Sequence, residues 1–106
     1  MYNPLPQSVK LERSSIHGNG LFAAKNIPAD VILGISHVYH DLFPNGYIRT
    51  PLGGFYNHSE TPNCSKTMIR VNDYKVWHLI TLDNIKEGEE LTLEYTFYKI
   101  YDEGKN

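Results

Sequence analysis

The sequence predicts a mostly-β domain made of several small sheets. Apolar and polar residues alternate in short runs, turn-forming residues recur between the runs at close spacing, and no stretch keeps a helical period for three turns. A chain of 106 residues fits one domain and not two. Its 41% hydrophobic and 21% charged content is that of a chain that folds.

In order along the chain, residues 1–7, with Pro4 and Pro6, read as an N-terminal arm. Residues 8–106 read as the domain, with 96–106 as a short C-terminal flank. Val9, Leu11 and Arg13 bracket Lys10 and Glu12 in strand alternation. Residues 14–20 form a turn with Gly18 and Gly20 on either side of Asn19, and 21–24 a second strand. A turn at 27–30 leads into an apolar strand at 31–35. Residues 36–47 form a polar and aromatic stretch, broken at Pro44, Asn45 and Gly46. Another turn is expected at 51–54, and 57–63 is crowded with turn formers. Residues 68–71 and 75–81 predict a hairpin closed around Asn72 and Asp73. A turn at 83–88 precedes a last strand at 90–95, and 96–106 reads as a short helix or an ordered tail. The segments at 26–30 and 84–88 echo each other through Asn-Ile, which reads as the same turn chemistry feeding two strands.

Charge and cysteine usage exclude several classes. The net charge is −2 and the Lys and Arg residues are scattered singly, so no nucleic-acid backbone site is expected, while a basic peptide is compatible. Cys64 is the only cysteine, so neither an internal disulfide nor a cysteine-rich zinc site can form within the chain. His37 and His40 beside Asp41 would fall on opposite faces of an extended stretch, so no metal is expected. With no signal-peptide pattern and no long apolar run, the chain is expected to be soluble and intracellular, in cytoplasm or nucleus, with no membrane partner.

Three separated segments carry a resemblance. They are His17-Gly18-Asn19-Gly20-Leu21-Phe22-Ala23, Tyr56-Asn57-His58-Ser59-Glu60-Thr61-Pro62-Asn63-Cys64 and Glu87-Gly88-Glu89-Glu90-Leu91-Thr92-Leu93-Glu94-Tyr95. In this order they resemble the SET domain, the β-rich family of protein lysine methyltransferases, over roughly residues 9–98. The resemblance implies a β-clip-like fold of small sheets around a knot-like core, in which the Asn-His-Ser segment passes beside the segment ending in Tyr95. It also implies transfer of a methyl group from S-adenosylmethionine to the ε-amine of a protein lysine, with S-adenosylhomocysteine as product. The expected partner is a lysine-bearing protein or peptide, a histone by family default. A catalytically silent SET-fold module is the alternative.

The chemistry needs a bound sulfonium donor, an in-line approach and a neutral amine. A free lysine titrates near roughly 10.4, so a narrow apolar, aromatic channel must lower that value. By resemblance, Tyr95 is the catalytic residue. Its hydroxyl, with an ordinary pKa of about 10, orients and stabilises charge and does not serve as a base. Gly18, Asn19, Gly20, Leu21, Asn57, His58, Tyr95 and Tyr98 are the implied cofactor residues. Glycine allows close backbone approach, and Asn57 offers both a donor and an acceptor. Tyr47, Tyr56, Leu93, Phe97 and Tyr101 are the implied lining of the lysine channel, while Glu90 and Glu94 are read as local backbone partners or an acidic rim.

Three features depart from the family pattern. Cys64 holds a position that ligates zinc in many members, but 96–106 has no cysteine, so Cys64 should be a plain thiol. The stretch before Asn57 that helps build the substrate groove is short, so a second subunit, as in a homodimer, is a candidate to complete the groove. Leu93 stands where many members carry the ring that limits methyl number.

Overall fold

The computed structural model describes residues 5–94. Eight strands and one helical turn run in the order β1 (Val9–Arg13), β2 (Asn19–Ala23), β3 (Ile32–Tyr39), β4 (Tyr47–Arg49), α1 (Pro51–Gly54), β5 (Asn57–His58), β6 (Cys64–Val71), β7 (Tyr74–Thr81) and β8 (Thr92–Leu93). They form a β1-β2 ribbon, a four-stranded sheet in the order β4-β3-β7-β6, and a two-stranded β5-β8 sheet. The mostly-β expectation holds, and the sheets are small because each strand is ended by a turn residue or a bulge. A single apolar cluster joins them, with Leu21 of β2, Leu79 of β7, Leu93 of β8, Ile27, Ile85 and Leu91 at its centre. No helix among the described residues is long and apolar enough to cross a membrane.

The echo between 26–30 and 84–88 has a larger meaning than a shared turn. The two segments pair with each other around an approximate two-fold. Ile27 N donates to Ile85 O at 2.7 Å, and Ile85 N donates to Ile27 O at 2.7 Å. Ala29 N donates to Asn84 Oδ1 at 2.9 Å, and Glu87 N donates to Asn26 Oδ1 at 2.9 Å. Gly88 N donates to Ala23 O at 2.8 Å, matched by Asp30 N to Thr81 O at 2.9 Å. Ala23 N donates to Glu89 O at 2.8 Å, matched by Thr81 N to Val31 O at 3.0 Å. The backbone follows the same symmetry, since Asp30 and Gly88 both take positive φ, 62° and 91°. The symmetry breaks at Thr81, whose hydroxyl donates to Pro28 O at 2.7 Å and accepts from Val31 N at 2.9 Å; its counterpart Ala23 has no such group.

Elsewhere the strands depart from the expected bounds. Strand β3 runs on to Tyr39 through the polar stretch, because bulges between Ile32 and Gly34 and between Ile35 and His37 interrupt the alternation that would have announced it. The expected turn at 51–54 closes into the helical turn α1, with Pro51 in the first turn, where its missing N–H costs nothing. Thr50 N pins that turn to Ser36 O at 2.9 Å. The hairpin is longer than expected, because β6 begins at Cys64 and pairs with β7 out to Thr81. Its two-residue turn has Asn72 at φ 54°, a conformation that Asn tolerates better than most residues. The last strand is shorter than expected, with Thr92 and Leu93 pairing in parallel with Asn57 and His58.

That short parallel ladder is the place where the Asn57 segment passes beside the segment leading to Tyr95. Asn63 strengthens it by using its side chain as a stand-in for backbone. Its Nδ2 donates to Glu90 O at 2.8 Å and its Oδ1 accepts from Thr92 N at 2.9 Å. Ser59 N adds a bond to Leu93 O at 3.0 Å.

The reciprocal brace yields a test. Asn26→Ala and Asn84→Ala each remove one side-chain bond of the same kind and should each lower unfolding free energy by about 1 kcal/mol. Urea denaturation checks this, and a loss confined to one of the two would contradict the shared pairing.

Candidate active site

The site begins with the β1–β2 turn. Ser14 N donates to Gly18 O at 2.7 Å, closing the loop. Ser14 Oγ accepts from Ile16 N at 2.9 Å, which holds the loop's first corner. The same hydroxyl donates to the Glu90 carboxylate, at 2.8 Å and 2.9 Å to its two oxygens. The turn is thereby tied to the approach to β8, 76 residues away in sequence.

Asn57 completes the tie. It is 6% exposed, and its Nδ2 donates to Glu90 Oε2 at 2.7 Å and to His17 O at 3.1 Å, with Asn19 O at 3.5 Å. Three acceptors around one nitrogen fix the orientation of the carboxamide. Its Oδ1 therefore remains as an acceptor, with no hydrogen bond recorded among the described residues. Glu90 was expected first as a local backbone partner or rim, and otherwise as a catalytic carboxylate. It is instead the anion on which Ser14 and Asn57 converge, and the signal in the sequence was Gly20. A Cβ at Gly20 would lie 2.3 Å from Glu90 Oε2. Gly20 is thus small for the sake of a protein carboxylate, whereas close approach to a cofactor had been expected. Gly18 is different, since it sits at φ 47° with nothing within 4 Å of its missing Cβ and presents an open backbone face.

The other expected cofactor residues divide. Asn19 is exposed at the start of β2, paired with Arg13. His58 is exposed on β5, opposite Leu93. Leu21 is fully buried, and its carbonyl accepts from Leu91 N at 2.7 Å. It supports the turn from the core and offers no surface. Tyr95 and Tyr98 lie outside the described residues.

Three of the expected channel residues, Tyr47, Tyr56 and Leu93, lie among the described residues. Tyr47 on β4 is 39% exposed, with its ring 5.3 Å from Tyr39 and 6.1 Å from His37. Leu93 is 2% exposed and packed in the core. Tyr56 is half-buried against that core, and the Lys66 ammonium bonds its hydroxyl and lies 4.6 Å from its ring centroid. Phe97 and Tyr101 lie outside the described residues. A cleft of about 570 Å³ is lined by Tyr39, Asp41, Arg70, Asp73 and Lys75 among others, and none of the expected site residues among the described residues is in its lining.

Burial sets the electrostatics around this region. Desolvation pushes Lys66 down to about 7 from 10.5. His37 is lowered to about 4 from 6.5, by burial first and then by Lys66 and Arg49 nearby. Its Nδ1 lies 3.1 Å from Ser36 Oγ, whose own proton goes to Trp77 O at 3.2 Å. Cys64 is 1% exposed, and burial with Asp83 pushes its thiol up to about 12, so it is a protonated core residue as expected.

The SET domain profile matches residues 36–96, more than half of the chain, and the chain belongs to the SET domain family. The H3 lysine-4 specific histone-lysine N-methyltransferase of Chaetomium globosum is 30% identical over 84% of this chain and 11% of its own length. Human histone-lysine N-methyltransferase 2B is 30% identical over 86% of this chain and 4% of its own. The chain thus spans about a tenth or less of the length of these curated relatives. Among solved structures, a Plasmodium falciparum protein described as a histone methyltransferase superposes with a TM-score of 0.68 at 22% identity, covering 83% of this chain and 92% of that one. A chain of Chaetomium thermophilum Polycomb Repressive Complex 2 gives 0.68 at 23% identity, over 85% of this chain and 15% of that one. These likenesses establish the fold.

Two measurements probe the site. Gly20→Ala should destabilise by about 2 kcal/mol through overpacking against Glu90 and by clearly less in a Glu90→Ala background. A double-mutant cycle in urea reads the difference, and strict additivity would contradict the contact. His37 gives a pH test. Its lowered value means that the unfolded chain binds the extra proton first, so stability is full above pH 6.5 and falls as pH drops toward about 4. The loss should be about 3 kcal/mol at most and smaller in His37→Asn, followed by urea midpoints across that range.

Proposed function

We propose that this chain transfers the methyl group of S-adenosylmethionine to the ε-amine of a protein lysine, releasing S-adenosylhomocysteine, with residues 8–106 acting as one catalytic unit. The observation that carries this reading is the state of Asn57. Its donor is fully engaged by the protein, by Glu90 and by the His17 and Asn19 carbonyls on either side of Gly18, while its Oδ1 takes no hydrogen bond among the described residues. An unengaged acceptor on a largely buried side chain, next to the Gly18 turn, suits the α-ammonium of an amino acid, and the cofactor ends in one. Bound there, the cofactor supplies an electrophilic methyl on a cationic sulfur.

The chain's own residues supply the rest. Asn57 and the Gly18 turn orient the amino-acid end, and His58 offers backbone and ring beside it. The Tyr95 hydroxyl orients the reacting groups and offers an oxygen dipole to the cationic sulfur. Tyr98 covers the cofactor, while Tyr47, Phe97 and Tyr101 disfavour the charged form of the incoming amine. Tyr56 has a narrower part in this reading, since Lys66 already occupies its hydroxyl and ring face. Leu93 bounds the channel from the core and leaves room for more than one methyl. Histones are the first substrates to try, because the relatives named above are histone-lysine methyltransferases.

Tyr95→Phe should abolish transfer to histones or lysate proteins, read by mass spectrometry, while leaving cofactor affinity within a few-fold. Near-normal turnover would remove Tyr95 from its role.

A further inference from the structure

Strand β6 closes one side of the four-stranded sheet, and no further strand among the described residues lies beyond it. The opposite edge, β4, is three residues long, whereas β6 runs for eight in one unbroken register with β7. Neither a proline nor a bulge interrupts it, and those are two of the devices that keep an edge strand from pairing. The register also tells which backbone groups are open. The two-residue turn makes Val71 and Tyr74 a mutually hydrogen-bonded pair, and such pairs alternate along an antiparallel ladder. Residues 65, 67, 69 and 71 therefore direct their N–H and C=O to β7, while 66, 68 and 70 direct theirs outward. The far end shows the same alternation. Thr81 N donates to Val31 O at 3.0 Å, away from β6, and Leu82 N donates to Asn63 O at 2.8 Å. The end near the turn is the bare one, with Met68, Ile69 and Val71 exposed to 40%, 44% and 50%, and Arg70 exposed as well.

We infer that the outer edge of β6 at Met68 and Arg70 binds an extended segment of another protein as a fifth strand, one that sets a carboxylate against Arg70 between two β-branched apolar residues. In such strand addition the main-chain bonds give affinity and the alternating side chains give specificity. Arg70 has a second cation, Lys75, directly across the ladder, and its own side chain makes no ion pair or hydrogen bond among the described residues. Like charges directly opposed repel, so an anion on the open side of Arg70 is favoured. Ile69 and Val71 point to the other face of the sheet, where β-branched neighbours on an added strand would cover them. The same charges disfavour a second copy. Self-pairing about a two-fold centred on Met68 would set Arg70 of each copy opposite Lys66 of the other, cation against cation. The inference goes beyond the methyltransferase reading and is independent of it.

Titration of the end-blocked peptide Ser-Thr-Val-Glu-Val-Thr-Ser into the isotopically labelled chain, followed by amide NMR shifts, tests it. Saturable shifts are expected around Met68 and Arg70, with slowed hydrogen exchange at those two amides. Arg70→Glu should weaken this peptide at least about tenfold and should prefer the same peptide with Lys in place of Glu. Met68→Pro removes only an N–H that points outward, so it should keep its circular dichroism spectrum and lose the peptide. No saturable binding to the wild type at millimolar peptide would overturn the proposal, as would folded Arg70→Glu and Met68→Pro variants that bind like the wild type. Concentration-dependent shifts at Met68 and Arg70 without peptide would assign the edge to a second copy and overturn it as well.

Discussion

The bond between Asn57 Nδ2 and Glu90 Oε2, 2.7 Å long, is the contact on which the site depends. Glu90 stands just before β8, Asn57 opens β5, and Ser14 and Gly20 belong to the first ribbon. No two of these regions are neighbours in sequence, and the carboxylate is the point where they meet. The half-buried carboxylate is held in place because Ser14 and Asn57 both donate to it. Removing it would free the Ser14 hydroxyl and the Asn57 donor, so that the carboxamide would no longer be fixed in orientation.

The brace formed by 26–30 and 84–88 makes that meeting reproducible. It fixes β2 relative to the strand leading to Leu91, and Leu91 follows Glu90 directly. The carboxylate therefore inherits its position from backbone bonds on both sides. Asn63 does the same for the other edge, taking Glu90 O and Thr92 N with one side chain. The fold thus spends two asparagine pairings and a short parallel ladder on holding one segment, the segment that leads into Tyr95.

Much of this was legible in the sequence. Strand β1 was read within its observed bounds, and the hairpin turn at Asn72 and Asp73 was placed correctly because two turn residues interrupt strong alternation. The three motifs brought Asn57, the glycine turn and the Tyr95 segment to one place, and the first two meet in the described structure. What escaped was long-range. Strand β3 hid behind two bulges, β5 behind turn formers that pair in parallel with a distant strand, and the brace behind an echo too short to look like a repeat. Glu90 escaped because a carboxylate among several in Gly88-Glu89-Glu90 has no local mark; only the missing Cβ of Gly20 betrays it. Leu21 could be read from the sequence as turn or core, and its full burial places it in the core.

The most direct measurement is calorimetric titration of S-adenosylmethionine and S-adenosylhomocysteine into the wild type and into Glu90→Ala. The account predicts that both ligands bind the wild type and that Glu90→Ala, still folded, binds them at least about tenfold more weakly, as expected for loss of roughly 1.4 kcal/mol of positioning. Failure of both ligands to bind the wild type, or equal binding by the variant, would contradict it.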